Sequence, residues 1–347
     1  MKAENSVLIK NIYYMLAYAY KALRRDGFEK VAAESFDNIH DLFAAILIKG
    51  IEYQIKQGLT KEYVKSCRLQ KTLRGKIDIA GTVGQMTKRS KQLSCVYGVL
   101  TEDNLFNRIL KSAVILLLNH GEVKHENKIA LKKLLPLLSN VCDIKPLEIN
   151  WSLLSYRKGN ASYQMLIYLC RLLFEGMIIS HDGRVKLAKF LDGQHLCDLY
   201  ETFVRAYYER HYPQLNPRAA YVAWALDDKQ DMFLPGMYTD TMLESSDKVL
   251  IIDTKCYRRI LTQQYDKKSV CSANLYQIYA YVKNKTAVTD KGVSGMLLYA
   301  KTDEDITPNV VYSMGGNKIF VRTLNLNCEF EKIKEQLDKI VAENFTA

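Results

Sequence analysis

Apolar residues recur at helical spacing through residues 8–24, "LIKNIYYMLAYAYKALR", where Ile9, Ile12, Met15, Leu16, Ala19 and Leu23 share one face. The run "DLFAAILIKGIEYQIKQ" predicts a second helix, with Asp41 near its start. Between 60 and 100 the pattern turns to alternation. There "VKSCRLQKTLRGKIDIAGTV", holding Gly75 and Gly81, predicts short strands and a turn. "LTEDNLFNRILKSAVILLLNH" then predicts a helix with Thr101, Glu102 and Asp103 at its positive end. Helical segments continue to about 140. The looser stretch "NVCDIKPLEINWSLLSYRKGNASY", with Pro146 and Gly159, marks a boundary between a domain of residues 1–155 and one of residues 156–347.

Beyond it the order becomes helix, strands, helix, strand. "QHLCDLYETFVRAYYERHY" places Leu196, Leu199, Phe203 and Tyr207 on one helical face. "DMFLPGMYTDTML" and "KVLIIDTKCY" read as strands joined by the turn "ESSD". "ANLYQIYAYVK" is a short helix, "VSGMLLYA" and "NKIFVRTLNL" are strands, and "FEKIKEQLDKIVAENF" closes the chain as a helix. The predicted class is α/β: a mostly helical N-terminal domain with short strands, followed by a mixed sheet flanked by helices.

Composition leaves that picture intact, since 48% hydrophobic and 25% charged residues over 347 positions suit two ordinary cores. Charge adds to it. A formal +11 favours an anionic partner, nucleic acid first and a membrane surface second. Eight cysteines stand singly with no C-x-x-C pair, which argues against a zinc ribbon or a redox dithiol. Most sit in apolar runs and are expected to be buried free thiols of a reducing compartment. The start lacks a signal-peptide layout, and the longest apolar run, "AVILLL", is too short to span a bilayer. The expected location is the cytoplasm, with no membrane partner.

The candidate chemistry lies in "VLIIDTKCYRRI", residues 249–260. D-x-K occurs four times, at Asp143–Lys145, Asp227–Lys229, Asp253–Lys255 and Asp266–Lys268, and only the third ends an apolar strand. A hairpin centred near 246 or 247 sets Asp240 opposite roughly 253, and period two puts Lys255 on the face of Asp253. Two carboxylates forced together repel. A shared proton, a neighbouring cation or a bound divalent metal relieves them, and an oxygen-only site suits Mg²⁺. Such a site, with Lys255 facing water or phosphate, hydrolyses a phosphodiester. The same residues also fit a capped turn and an exposed salt bridge at a strand end. Gln277 and Tyr281 fall on one face of the next helix, and Glu201, on the helix before the hairpin, can aim a third carboxylate at the metal. Arg258, Arg259, Lys267 and Lys268 lie between hairpin and helix, where they can grip DNA phosphates or simply form a wet loop.

Asp240, then Asp253-Thr254-Lys255, then a Gln-x-x-x-Tyr helix resembles the PD-(D/E)XK nuclease superfamily. Together with "NIYYMLAYAY", "EDNLFNRILKS", "IIDTKCY" and "NLYQ", the ordered set resembles the McrC family, nuclease subunits of McrBC modification-dependent restriction systems. The resemblance implies a PD-(D/E)XK-like second domain with Asp240, Asp253 and Lys255 as nuclease residues, and a partner-docking N-terminal part. It also implies a separate McrB-type AAA+ GTPase that binds the GTP, double-stranded DNA with modified cytosine as target, and room for dimerisation within the assembly. No G-x-x-x-x-G-K-[ST] motif occurs in this chain. Thr239 stands where the superfamily has proline, and Cys256 follows the lysine. Two other readings remain open: an idle docking and activating module of the GTPase, and a stand-alone repair nuclease of the same fold.

Overall fold

The computed structural model describes residues 2–20, 36, 38–88, 90–157, 160–178, 194–228, 232–256, 261–264, 267–301 and 307–345. Packing divides the chain into two compact units, one of residues 43–174 and one of residues 1–42 with 175–347. The units therefore do not follow the division at 155: the first helix, α1 (Lys2–Ala19), belongs with the C-terminal half.

The unit of residues 43–174 takes in most of α2 (Ile39–Gln57), then β1 (Glu62–Gln70), β2 (Lys76–Ile77), α3 (Ile79–Thr87) and β3 (Leu93–Thr101). The strands form an antiparallel sheet in the order β1–β3–β2. The short strands agree with the alternating pattern, but Ile79–Thr87 is helical where alternation predicted none. α4 (Leu105–Asn119), α5 (His125–Leu134) and α6 (Gln164–Ile178) complete the unit. α4 starts where its polar prelude says it should. The Asn104 side chain caps it by accepting from the Asn107 amide at 3.1 Å. Asp103 accepts twice from Arg108, at 2.6 and 2.8 Å, and the Arg108 hydrogen bond holds its carboxyl well below the usual range.

Asn107 is fully buried and ties this unit together. Its Nδ2 donates to the carbonyls of Thr60 at 3.0 Å and Glu102 at 2.7 Å, and its Oδ1 accepts from Tyr163 at 2.9 Å. Asn107→Ala leaves the Tyr163 phenol without its acceptor and takes one donor each from the Thr60 and Glu102 carbonyls, and is expected to cost about 2 kcal/mol. A urea unfolding midpoint that stays at the native value would refute that role.

The other unit holds α1, α7 (Gln194–His211), β4 (Arg218–Val222), β5 (Met237–Glu244), β6 (Lys248–Lys255), β7 (Leu261–Gln264) and β8 (Lys267–Val270). It continues through α8 (Ser272–Ala287), β9 (Gly292–Ala300), β10 (Val310–Met314), β11 (Asn317–Leu324) and α9 (Phe330–Phe345). Six strands make one mixed sheet in the order β10–β11–β9–β6–β5–β4, with β6–β9 and β9–β11 parallel. β6 lies inside this sheet, which explains its nearly unbroken apolar run. α8 packs on one face, where Ile278, Tyr281 and Val282 join Met242, Val249, Ile251 and Tyr299 in a single core. Gly295 allows the approach, because a Cβ there would meet Val282 at 2.7 Å and Ile278 at 2.8 Å. Asn11 of α1 donates to the carbonyls of Leu326 and Cys328, anchoring α1 to the connection between β11 and α9. The α/β class, with a mixed sheet flanked by helices, is as expected.

The expectation for the cysteines needs correction. Burial of most cysteines holds only for Cys95 and Cys170, while Cys67 and Cys142 are exposed and the rest are half-buried. Apolar neighbours in sequence do not bury a residue that sits on a sheet's open side. No helix among the described residues is long and apolar enough to cross a membrane.

Candidate active site

The hairpin β5–β6 forms because "ESSD" makes a tight turn. The Ser245 amide donates to the Lys248 carbonyl at 2.9 Å, and the Ser245 hydroxyl accepts from the Lys248 amide at 3.1 Å. From Glu244↔Val249 the ladder runs to Thr241↔Ile252, so the next step sets Asp240 across from Asp253, the register that the turn predicted. Beyond that last pair a side chain takes over. Asp240 Oδ2 accepts from the Thr254 amide and from the Thr254 hydroxyl, each at 2.7 Å.

On its other side β5 is irregular at the same place. Arg218 pairs with Met242 but Ala220 pairs with Thr239, leaving Asp240 and Thr241 together against Ala219 of β4. This is a bulge, a device that re-aims side chains beside functional sites. It also breaks the period of two: Met237 and Met242, five positions apart, both face the core beneath α8. Thr241 Oγ1, fully buried at the bulge, has no hydrogen-bond partner.

Asp253 is 1% exposed. Its Oδ2 meets the Lys255 ammonium at 2.6 Å as an ion pair, and Oδ1 accepts no hydrogen bond. Burial pushes its carboxyl up to about 6; the Lys255 charge opposes the shift, and the charges of Asp240 and Glu201 add to it. From Lys255 a polar chain continues into α8. Its ammonium donates to Gln277 Oε1 at 3.2 Å, and Gln277 Nε2 donates to the Tyr281 hydroxyl at 2.8 Å. Burial also raises Tyr281, which therefore stays a neutral phenol. Asp253, Lys255, Gln277 and Tyr281 thus make one connected row.

Glu201, on α7, is raised by burial and then by the charge of Asp240, against the hydrogen bond of Arg205. It feels the other two carboxylates without joining them: Glu201, Asp240 and Asp253 do not bring three ligand oxygens within 4.8 Å of one another. Glu201 is tied to the backbone of Asp240 through Arg205, which sequence reasoning passed over. Its Nη1 donates to Glu201 Oε1 at 3.1 Å and to the Asp240 carbonyl at 2.8 Å. Thr254 was missed as well, being the variable position of D-x-K. Arg258 and Arg259 lie outside the described residues. Lys267 and Lys268 stand on β8, paired with Gln264 and Gln263 of β7, and their side chains lie outside the described set.

A divalent cation fits these groups. The donors are hard oxygens, Asp253 Oδ1 is buried with nothing to accept from, and Asp240 Oδ1 accepts none of the hydrogen bonds that hold its neighbour.

Residues 2–300 match the family model described as "McrBC 5-methylcytosine restriction system component". A relative from Escherichia coli (strain K12), "Type IV methyl-directed restriction enzyme EcoKMcrBC", is 26% identical over 340 residues, which is 96% of this chain and 97% of the relative. A solved structure described as a half-complex of Thermococcus gammatolerans McrB AAA+ hexamers with bound McrC gives a TM-score of 0.49 at 16% identity. That match covers 96% of this chain and 75% of the other. The Thermococcus gammatolerans McrBC complex gives 0.40 at 18% identity, covering 60% and 59%. By the family model, which spans most of its length, this chain belongs to the McrBC 5-methylcytosine restriction system component family.

Proposed function

We propose that this restriction-system component is the DNA-cutting subunit, a Mg²⁺-dependent endonuclease that hydrolyses phosphodiesters of DNA carrying modified cytosine. The observation that carries the reading is Asp253: a carboxylate sealed from water, with one oxygen unsatisfied and a lysine against the other. A protein gains no stability from such a group, because burying a charge costs more than an imperfect pair returns. Its retention therefore argues for chemistry, and against an idle docking module.

Asp253 and Asp240 would hold the ion, with Glu201 near enough to add its field. When bound, Mg²⁺ supplies Lewis-acid chemistry, acidifying water and offsetting the charge that builds on phosphoryl oxygens. The remaining work belongs to side chains. Lys255, fixed between Asp253 Oδ2 and Gln277 Oε1, presents a charged donor of set direction, suited to orienting water or steadying a phosphate oxygen. Gln277, held by Tyr281, gives the lysine a second partner beside Asp253. Both are positioning groups, since neither carries a charge into the reaction.

The partner reading follows from the family. The relative from Escherichia coli is described as a methyl-directed restriction enzyme, and the Thermococcus gammatolerans assembly as McrB AAA+ hexamers with bound McrC. We infer for this chain the division of labour that the McrC-family resemblance implies: an AAA+ GTPase reads DNA and binds GTP, and this chain cuts. The absence of a phosphate-binding G-x-x-x-x-G-K-[ST] in its sequence supports the division. The test is reconstitution with an McrB-type AAA+ GTPase. Cutting is expected only when this chain, that partner, GTP, Mg²⁺ and methylated DNA are all present. Efficient degradation of unmethylated DNA by the chain alone would instead favour a solitary repair nuclease.

A further inference from the structure

We infer that Thr254 and Arg205 are positioning residues that hold Asp240 so that its Oδ1 faces a divalent cation, an assignment that rests on the nuclease reading above. The need arises from the bulge. Where two residues of β5 oppose one of β4, and past the last β5–β6 pair at Thr241↔Ile252, the ladder no longer fixes the backbone at Asp240. Two side chains replace that support. Thr254 grips one oxygen twice, through amide and hydroxyl at 2.7 Å each, which fixes the rotation of the carboxylate plane. Because threonine is β-branched and stiff about χ1, the position of its hydroxyl is set by β6 itself. Arg205 pins the Asp240 carbonyl at 2.8 Å, and the same nitrogen reaches Glu201 at 3.1 Å, so α7 and β5 are tied through one guanidinium group. With Oδ2 committed, Oδ1 is the oxygen left to act as ligand. Outer partners that orient ligands in this way control metal affinity as strongly as many ligands do.

The measurement is Mn²⁺ binding to the full chain by calorimetry, with the Mg²⁺-induced rise in unfolding temperature as a second readout. Thr254→Val, which keeps the shape and the amide but removes the hydroxyl, is expected to weaken Mn²⁺ binding about 10- to 100-fold with circular dichroism unchanged. Thr254→Ser restores the hydroxyl and is expected to recover most of that loss. Arg205→Gln, with the Thr254 grip intact, is expected to weaken binding as well. The assignment is overturned if the valine variant binds like the native chain, or if serine is as poor as valine. Should the valine variant fail to fold, Arg205→Gln carries the test, and native-like binding by it overturns the assignment. Asp253→Asn separates the two levels. If it loses Mn²⁺ while Thr254→Val and Arg205→Gln do not, only the clamp falls; if the native chain binds no better than Asp253→Asn, the nuclease reading falls with it.

Discussion

Replacing Asp253 with alanine is expected to lower DNA cutting by about 10³-fold or more, the scale on which a preorganised charge at a reacting centre acts. Stimulation of GTP hydrolysis by the AAA+ partner should stay at the native level. The separation follows from where Asp253 sits. It is enclosed at the end of β6, and among the described residues its ion pair is with Lys255, so its loss removes chemistry and spares the molecular surface. Alanine also leaves a small void, and loss of cutting through misfolding must be kept apart from loss of the charge. Asp253→Asn answers this by keeping the volume while removing the charge; it should cut as poorly as alanine. Asp143→Ala is the matched control. Asp143 belongs to another D-x-K, is largely exposed, and pairs with Lys111 at 2.8 Å, a contact worth at most about 1 kcal/mol. Its removal should leave cutting intact. Persistent Mg²⁺-dependent cutting by either Asp253 variant would sink the assignment.

The hairpin that carries Asp253 was readable because its determinants are local. A four-residue turn fixes the register, and a strand buried on both faces announces itself by composition. Lys255, Gln277 and Tyr281 followed from periods of two and of four, which no tertiary event disturbs in β6 or α8. Asp240 was only half legible. Its register came out, but the bulge that aims it leaves no mark on the hydrophobic pattern, since it arises from the pairing of β5 with the edge strand β4. That edge strand went unread because it is short and its sequence, Arg-Ala-Ala-Tyr-Val, carries little alternation of apolar and polar residues, and β10 because its residues are largely exposed. α3 was missed for a related reason: Ile79, Val83 and Met86 keep helical spacing but stay exposed, and Gly81 and Gly84 weaken the helical signal. Arg205 lies four residues after Glu201, which in a sequence is an ordinary helix pair. Its second bond, to a carbonyl on β5, exists only in three dimensions.

Asp253→Asn is also expected to make the metal-free protein more stable above pH 6, by as much as roughly 3 kcal/mol. The figure comes from raising the folded carboxyl from 3.8 to about 6, at about 1.4 kcal/mol per unit. The direction follows from proton linkage. Between about pH 4 and pH 6 the folded chain keeps a proton on Asp253 that the unfolded chain has already lost, so stability falls as pH rises through that window. Below it the burden is absent, and above it the whole cost is carried. The gain in the asparagine variant is tempered because Lys255, itself mostly buried, loses its carboxylate partner. Other carboxyl groups titrate over the same range, so the informative quantity is the difference between the two proteins in urea midpoint, measured from pH 4 to pH 8 with chelator present. That difference should open through the window and then stay constant. Adding Mg²⁺ at pH 8 should close it by stabilising the native chain alone, since a ligand that binds only the folded state adds its binding free energy to folding. Parallel pH profiles for the two proteins, or an equal response of both to Mg²⁺, would mean that Asp253 is neither burdened by its burial nor relieved by a cation.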